Sequence, residues 1–375
     1  MATVSQALGA RLPVRAMRYV GLIVGISFLT GGVVAGFSFA ALPIILSLGV
    51  VPHALEPVAT QFSIAYAAQL PLYYCMIMLN SIFRAHKLVW LPFGTLALVA
   101  AVNFAGSVGL GLGYWGLPNC GYAAVAWATF FSALLGFACN VALGIKRGIL
   151  CRASFGPWRW NRIAAPRLWR IGAPAALGNL ASQIGGVVLT VSLAGLPHDT
   201  VTAVAGMTLG SRIMGFILLP LGALGMTVTI LSGHMLGGRQ PNAAYELGQR
   251  CAFQAMVLMA LAALTLGLLR EATARLLDEN AATVTQAGVF LLFACCALPF
   301  QALTQMLNAV LAGAGATRFI CRINCISTWA VSVPFAWMLS RWCAMGINGV
   351  YAAMVLGKVC MALWTLRVFQ QKKWI

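Results

Sequence analysis

From about residue 19 to residue 370 the chain is a near-continuous series of apolar runs separated by short connections. A run of roughly 20 apolar residues is what a helix needs to cross about 30 Å of hydrocarbon. Soluble domains carry about 25% charged residues, whereas this chain of 375 residues has 8% charged and 61% hydrophobic. The pattern therefore predicts an all-α polytopic membrane protein, with spans near 19–49, 57–83, 88–115, 120–146, 168–195, 201–235, 246–270, 282–311, 317–340 and 344–370.

The charges that remain mark the connections. Lys and Arg number 24 against 6 Asp and Glu, and the cations gather on alternate sides. Arg11 and Arg15, Arg84 and Lys87, a basic stretch from Lys146 to Arg167, then Arg239, Arg318, Lys372 and Lys373 share one side. The other side carries Glu56, Asp199, Asp278 and Glu279, with Arg275 and Arg341 as exceptions. Lys and Arg stay in the cytoplasm, so both termini are expected there, in the inner (plasma) membrane. The net charge of +18 thus reads as topology rather than nucleic-acid binding. The 11 cysteines sit mostly within apolar runs as small hydrophobes. His53, His86, His198 and His234 form no metal spacing, and no site for an organic cofactor is expected.

The chain also repeats itself. Residues 70–80 read "LPLYYCMIMLN" and residues 298–308 read "LPFQALTQMLN", with Leu, Pro, Met, Leu and Asn returning after 228 positions. Leu8, Gly9, Arg11, Pro13 and Ala16 return as Leu236, Gly237, Arg239, Pro241 and Ala244, and Gly121 and Ala124 as Gly349 and Ala352. Matching segments enter from the same side, as in parallel repeats about an axis along the membrane normal. Two pseudo-symmetric helical bundles follow: an N-terminal lobe over 1–147, a basic inter-lobe loop over 148–167 and a C-terminal lobe over 168–375. The second has six spans and the first four, so the first bundle is expected to be short by two helices.

Four stretches resemble one family. They are "LWRIGAPAALGNL" at 168–180, the segment 204–244 with its "LGGRQP" turn, "LAGAGATR" at 311–318 and "GLPNCGYAAVAWAT" at 116–129. Their order and content are similar to the multidrug and toxic compound extrusion (MATE) family of the MOP flippase superfamily, across nearly the full chain. The resemblance implies two six-helix lobes around a cleft. It also implies export of organic, often cationic, compounds in exchange for Na⁺ or H⁺ by alternating access.

The resemblance also assigns site residues, and here the chain departs from the family. In the N-lobe, Asn103 is kept, Ser107 stands where an acid is usual, and Thr129 matches a family threonine. In the C-lobe, Ser182 and Gln301 occupy positions where family branches carry Glu or Asp. All six acids lie at span ends or in loops, although intramembrane carboxylates are the usual mark of ion pathways. Asn103 and Ser107 share a helix face one turn apart, which suits either Na⁺ coordination by neutral oxygens or hydrogen bonding between helices. Gln301, Gln305 and Asn308 leave the same two roles open, and Pro71 and Pro299 are expected to kink their helices. Arg212 and Lys358 fall near mid-span with no acid at their depth, to meet an anionic group or to snorkel. Candidate substrate- or ion-binding residues are thus Asn103, Ser107, Thr129, Asn179, Ser182, Arg212, Gln301 and Gln305. The expected function is a MATE-like exporter of organic or drug-like compounds by Na⁺ or H⁺ antiport with alternating access, impaired by the missing helices so that little or no cation-driven export is expected of the chain as given. A flippase for lipid-linked or amphipathic substrates and a non-transporting remnant are the alternatives. With no mid-membrane His/acid pair, nucleophile elbow or metal cluster, no enzyme is expected.

Overall fold

A computed structural model describes residues 1–47, 55–116, 118, 120–194, 200–343 and 345–374. His53, His198 and Asp199 lie outside the described residues. The described backbone is helix and turn, with no strand among the described residues. In chain order the helices are α1 (Ala2–Gly9), α2 (Pro13–Ser47), α3 (Glu56–Ala85), α4 (Trp90–Leu112), α5 (Gly121–Lys146) and α6 (Trp158–Ala194). They continue with α7 (Thr200–Gly237), α8 (Pro241–Arg275), α9 (Ala281–Ala314), α10 (Thr317–Ile326), α11 (Val333–Trp337) and α12 (Gly346–Gln370). The π-helical segment Ser327–Ser332 joins α10 to α11, and a second, Met338–Trp342, continues the same span. Ten helices among the described residues are long and apolar enough to cross a membrane. Their outer faces are apolar as well, as with Leu261, Leu264 and Leu268 on α8, which suits hydrocarbon rather than water.

Contacts divide the chain into two compact units, Met1 with Arg11–Ala165, and Ala2–Ala10 with Pro166–Ile375. In the first, α3 packs on α2 and α5, and α4 packs on α5. In the second, α9 packs on α8 and α12, α7 packs on α9, and the π-containing span packs on α12. The short helix α1 packs on α7 and α9, so residues 2–10 join the second unit rather than the lobe in which the sequence placed them. Residues 158–167, read as loop from their charge, form the first turns of α6, which runs on through Pro166 and Pro174. Tyr19 packs edge-to-face on Trp160 at that end, with ring centroids 5.1 Å apart.

The repeat extends to single turns. Arg11 (φ 56°) and Arg239 (φ 59°) are both left-handed, and each precedes by two residues the proline that opens a helix. Proline suits that first position because its missing N–H would be unsatisfied there anyway. Lys87 (φ 64°) and Gly315 (φ 80°) also correspond. After α3, the N–H of Leu88 donates to the carbonyl of Phe83 at 2.9 Å; after α9, Ala316 donates to Leu311 at 2.9 Å. This bond pattern caps a helix whose terminal residue turns left-handed.

The constant shift of 228 does not survive into the last helix. Gly121 opens α5 at φ 61° and Gly346 opens α12 at φ 55°, a shift of 225. Burial settles the register: Ala124, Ala128, Ser132, Asn140 and Gly144 are buried on α5, as are Gly349, Ala353, Gly357, Thr365 and Phe369 on α12. The sequence match of Gly121 to Gly349 paired like residues that face different ways. The physical constraint is a row of small residues every fourth position, along which membrane helices approach closely. On α12 this row meets the π segments. A Cβ on Gly349 would overlap the backbone of Leu339 and Ser340, and one on Gly357 would overlap the Ser332 hydroxyl.

Where α1 meets α7 the contact is reciprocal. A Cβ on Gly237 would collide with the Gln6 backbone, and one on Gly9 would collide with the His234 backbone. Gly233 packs on Ser5. Each residue here touches the sister of the residue that touches its own sister, because 5 and 233, 6 and 234, and 9 and 237 are repeat equivalents. Gln6 Nε2 adds a 2.8 Å hydrogen bond to the Gly313 carbonyl.

Candidate functional site

In the first unit, Asn103 lies near the middle of α4, facing α5. Its Nδ2 donates to Thr129 Oγ1 at 3.1 Å and to Ser132 Oγ at 3.4 Å. The two hydroxyls are themselves anchored, Thr129 to the Val125 carbonyl and Ser132 to the Thr129 carbonyl. Ser107 stands one turn beyond Asn103 on the same helix face. The cluster therefore holds neutral oxygens already engaged in bonding α4 to α5.

A second polar knot in this unit went unread in the sequence. Asn140 Nδ2 donates to Asn80 Oδ1 at 2.9 Å, and Thr95 Oγ1 donates to the same oxygen at 3.3 Å, joining α3, α4 and α5. Asn80, Thr95 and Asn140 are all buried. The signal was available: Asn140 continues the i, i+4 row of Ala124, Ala128 and Ser132, so it had to face inward.

In the second unit, α7, α9 and α12 surround a cavity of about 170 Å³. Its apolar wall includes Met214, Leu218, Phe290 and Phe293, and its polar groups are Ser211, Gln301, Tyr351 and Lys358. Tyr351 is buried and held in place: its hydroxyl reaches the Ala203 carbonyl at 3.5 Å and its ring meets Phe290 edge-on at 5.3 Å. Small residues make the space, since Gly215, Ala294 and Ala297 line it where larger side chains would fill it. A neighbouring cavity of about 330 Å³ lies between α6 and α7, lined by Thr190, Met207, Thr208, Ser211 and Arg212. Ser211 is common to both.

The structure thus gathers only part of the predicted set. Gln301 joins Ser211 and Lys358, and Arg212 stands in the adjoining cavity. Gln305 lies on the glycine step of α7, with its side chain against Gly225. Asn179 is exposed on α6, and Ser182 turns its hydroxyl back to the Gly178 carbonyl at 3.0 Å. Neither lines the two cavities. Among the described residues every carboxylate is at or near a helix end or in a connection. Glu246 and Glu271 make exposed ion pairs with Arg250 and Arg275, one turn along α8.

The fold and these motifs can be set beside known proteins. The MatE family model matches residues 174–338. Over 374 residues the chain is 22% identical to the uncharacterized transporter YisQ of Bacillus subtilis, covering 99% of this chain and 81% of that one. The chain is similar to MATE transporters over nearly its whole length. Multidrug resistance protein PmpM of Pseudomonas aeruginosa is 24% identical over 294 residues, covering 74% of this chain and 58% of that one. The crystal structure of the Vibrio cholerae MATE transporter VcmN in its bent form has the same fold. There the TM-score is 0.88 with 19% identity, over 99% of this chain and 82% of that chain. Ten helices of membrane-spanning length among the described residues, with this likeness to transporters, support a multi-pass inner-membrane transport protein rather than an enzyme.

Proposed function

We propose that this MATE-like protein exports small organic compounds from the cytoplasm by alternating access, with both termini on the cytoplasmic side. The observation that carries the reading is the cavity among α7, α9 and α12, which sets polar groups within membrane-spanning helices and walls them with aromatic and aliphatic side chains. A few placed polar groups on an apolar surface are the usual makeup of a small-molecule site. Relatives named as multidrug resistance proteins support organic compounds as substrates.

Coupling falls to Na⁺ rather than H⁺, and weakly. Asn103, Thr129 and Ser132 offer uncharged oxygens that can coordinate a cation but do not titrate near neutral pH. Their mutual hydrogen bonds must loosen before an ion enters, which costs part of the binding energy. The test is dye movement by the purified full chain in vesicles, under an imposed Na⁺ or proton gradient. Na⁺-dependent movement that is lost in Asn103→Leu is expected. Equal movement under a proton gradient without Na⁺ would refute the assignment of the ion.

The flippase reading has its own support in Arg212 and Lys358. Both are cations in span interiors, where a transporter of organic cations would be expected to hold acids.

A further inference from the structure

We infer that the cavity among α7, α9 and α12 binds an organic anion about the size of one aromatic ring, with its carboxylate on Lys358 and Gln301 and its ring against Phe290 and Phe293. This deepens the exporter reading by naming the substrate class of the same site, and it rests on that reading for its biological meaning.

Lys358 is residue 13 of the 25 in α12, so about 18 Å of helix separates it from either end at 1.5 Å per residue. That is farther than a lysine side chain spans, which removes snorkelling to the interface as its role. The side chain instead lines the cavity with Gln301 and Ser211. Among the described residues it has no hydrogen-bond or ion-pair partner. The described acids stand at or near helix ends or in connections, with Glu246 and Glu271 engaged by arginines of their own helix. A cation held in a membrane interior without a counter-charge is costly, and such groups mark substrate or ion pathways. A ligand carboxylate would supply the counter-charge that the described residues around Lys358 do not.

The walls set the rest of the chemistry. The ring centroids of Phe290 and Phe293 lie 5.3 and 5.9 Å from that of Tyr351, forming an aromatic cluster in the wall of the cavity that Lys358 also lines. A volume of about 170 Å³ is far below the roughly 300–1,000 Å³ of drug-sized sites. It is close to the roughly 150 Å³ that accommodates a single benzene ring in an engineered protein cavity. The Gln301 amide, which has no hydrogen-bond partner among the described residues, supplies a donor for the second carboxylate oxygen. A cationic ligand would meet Lys358 as a like charge with nothing to offset it.

The experiment is equilibrium binding of 2-aminobenzoate, read by its own fluorescence, to the full chain in nanodiscs of neutral phosphatidylcholine. Benzamide and benzylammonium serve as neutral and cationic competitors of the same size. The expected result is saturable 2-aminobenzoate binding that neither competitor displaces. Lys358→Met should weaken it about tenfold or more, the loss expected for one hydrogen bond to a charged group, while Lys358→Arg should retain it. Phe293→Trp, which fills the cavity and leaves the charge, should also abolish binding, so the test does not hang on one variant. Adding phosphatidylglycerol separates a free anion from a lipid headgroup: an unchanged affinity supports the free anion, and competitive loss overturns it. Equal binding by wild type and Lys358→Met, preference for benzylammonium, or no binding by wild type would each overturn the inference. Transport is measured separately. A chain that binds 2-aminobenzoate but moves no organic compound refutes the exporter reading alone, and one that exports cationic dyes without binding 2-aminobenzoate refutes this inference alone.

Discussion

The packing of α12 on the π-containing span can be tested with two side-chain atoms. Gly357 faces Ser332, and a Cβ placed on it would overlap the serine hydroxyl, with Ser332 Cβ only 3.2 Å away and the Ser327 carbonyl at 3.5 Å. Overpacking of this kind costs about 1–3 kcal/mol. Replacing a mid-helix glycine by alanine returns about 1 kcal/mol of helix propensity. Gly357→Ala should therefore destabilise by up to about 2 kcal/mol. Ser332→Ala alone forfeits the 3.1 Å hydrogen bond to the Ser327 carbonyl, worth about 0.5–1.5 kcal/mol. In the double variant the hydroxyl is gone and the residual 3.2 Å methyl contact needs a shift of only a few tenths of an ångström. The double variant should then be more stable than the sum of the singles by about 1 kcal/mol or more, within the range for touching residues. The assay is reversible unfolding in mixed micelles, titrated with sodium dodecyl sulfate and followed by far-UV circular dichroism. Additivity within about 0.5 kcal/mol would show that Ser332 is not what excludes the methyl group.

Three further outcomes follow from the geometry. Asn80→Leu should cost about 1–2 kcal/mol, near the upper end for interhelical bonds in membranes. It strands the buried Asn140 amide with only the Met76 carbonyl at 3.4 Å, and the Asn80→Leu/Asn140→Leu pair should cost less than Asn80→Leu alone in the same titration. Lys87→Gly should stabilise by up to about 1 kcal/mol, because its left-handed φ of 64° is strained for a side chain, with Gly315→Lys as the destabilising counterpart in the sister turn. In the connection after α5, the Ser154 hydroxyl holds the Cys151 thiol below its ordinary pKa. Maleimide labelling of Cys151 should reach half-maximal rate at a lower pH than for a free thiol, and Ser154→Ala should move that midpoint upward.

The number of spans was legible because apolar length is a strong signal, and the turns at Arg11 and Arg239 because proline follows each at the same distance. Register in the last helix was not legible from identity: Gly121 matches Gly349 by letter, yet the faces align only when it is set against Gly346. Letter matching follows residue type, whereas folding follows the inward row of small residues. The stretch 158–167 looked like loop because six of the nearby residues are basic, although charge alone does not stop a helix. For the site, Arg212 and Lys358 were visible as mid-span cations. Their surroundings were not, since the cavity depends on Gly215, Ala294 and Ala297 leaving room between helices. No local pattern in the chain announces a void made jointly by three distant segments.

The seam between α1 and α7 makes sister positions each other's environment, as in the isologous interface of a two-fold dimer, but within one polypeptide. Gly9 and Gly237 are in effect one design decision taken twice. Enlarging either side presses on the backbone opposite the other, so drift in one copy alters the selection felt by its twin. A scan of all substitutions should give these two positions matching tolerance profiles, though 228 residues of chain separate them.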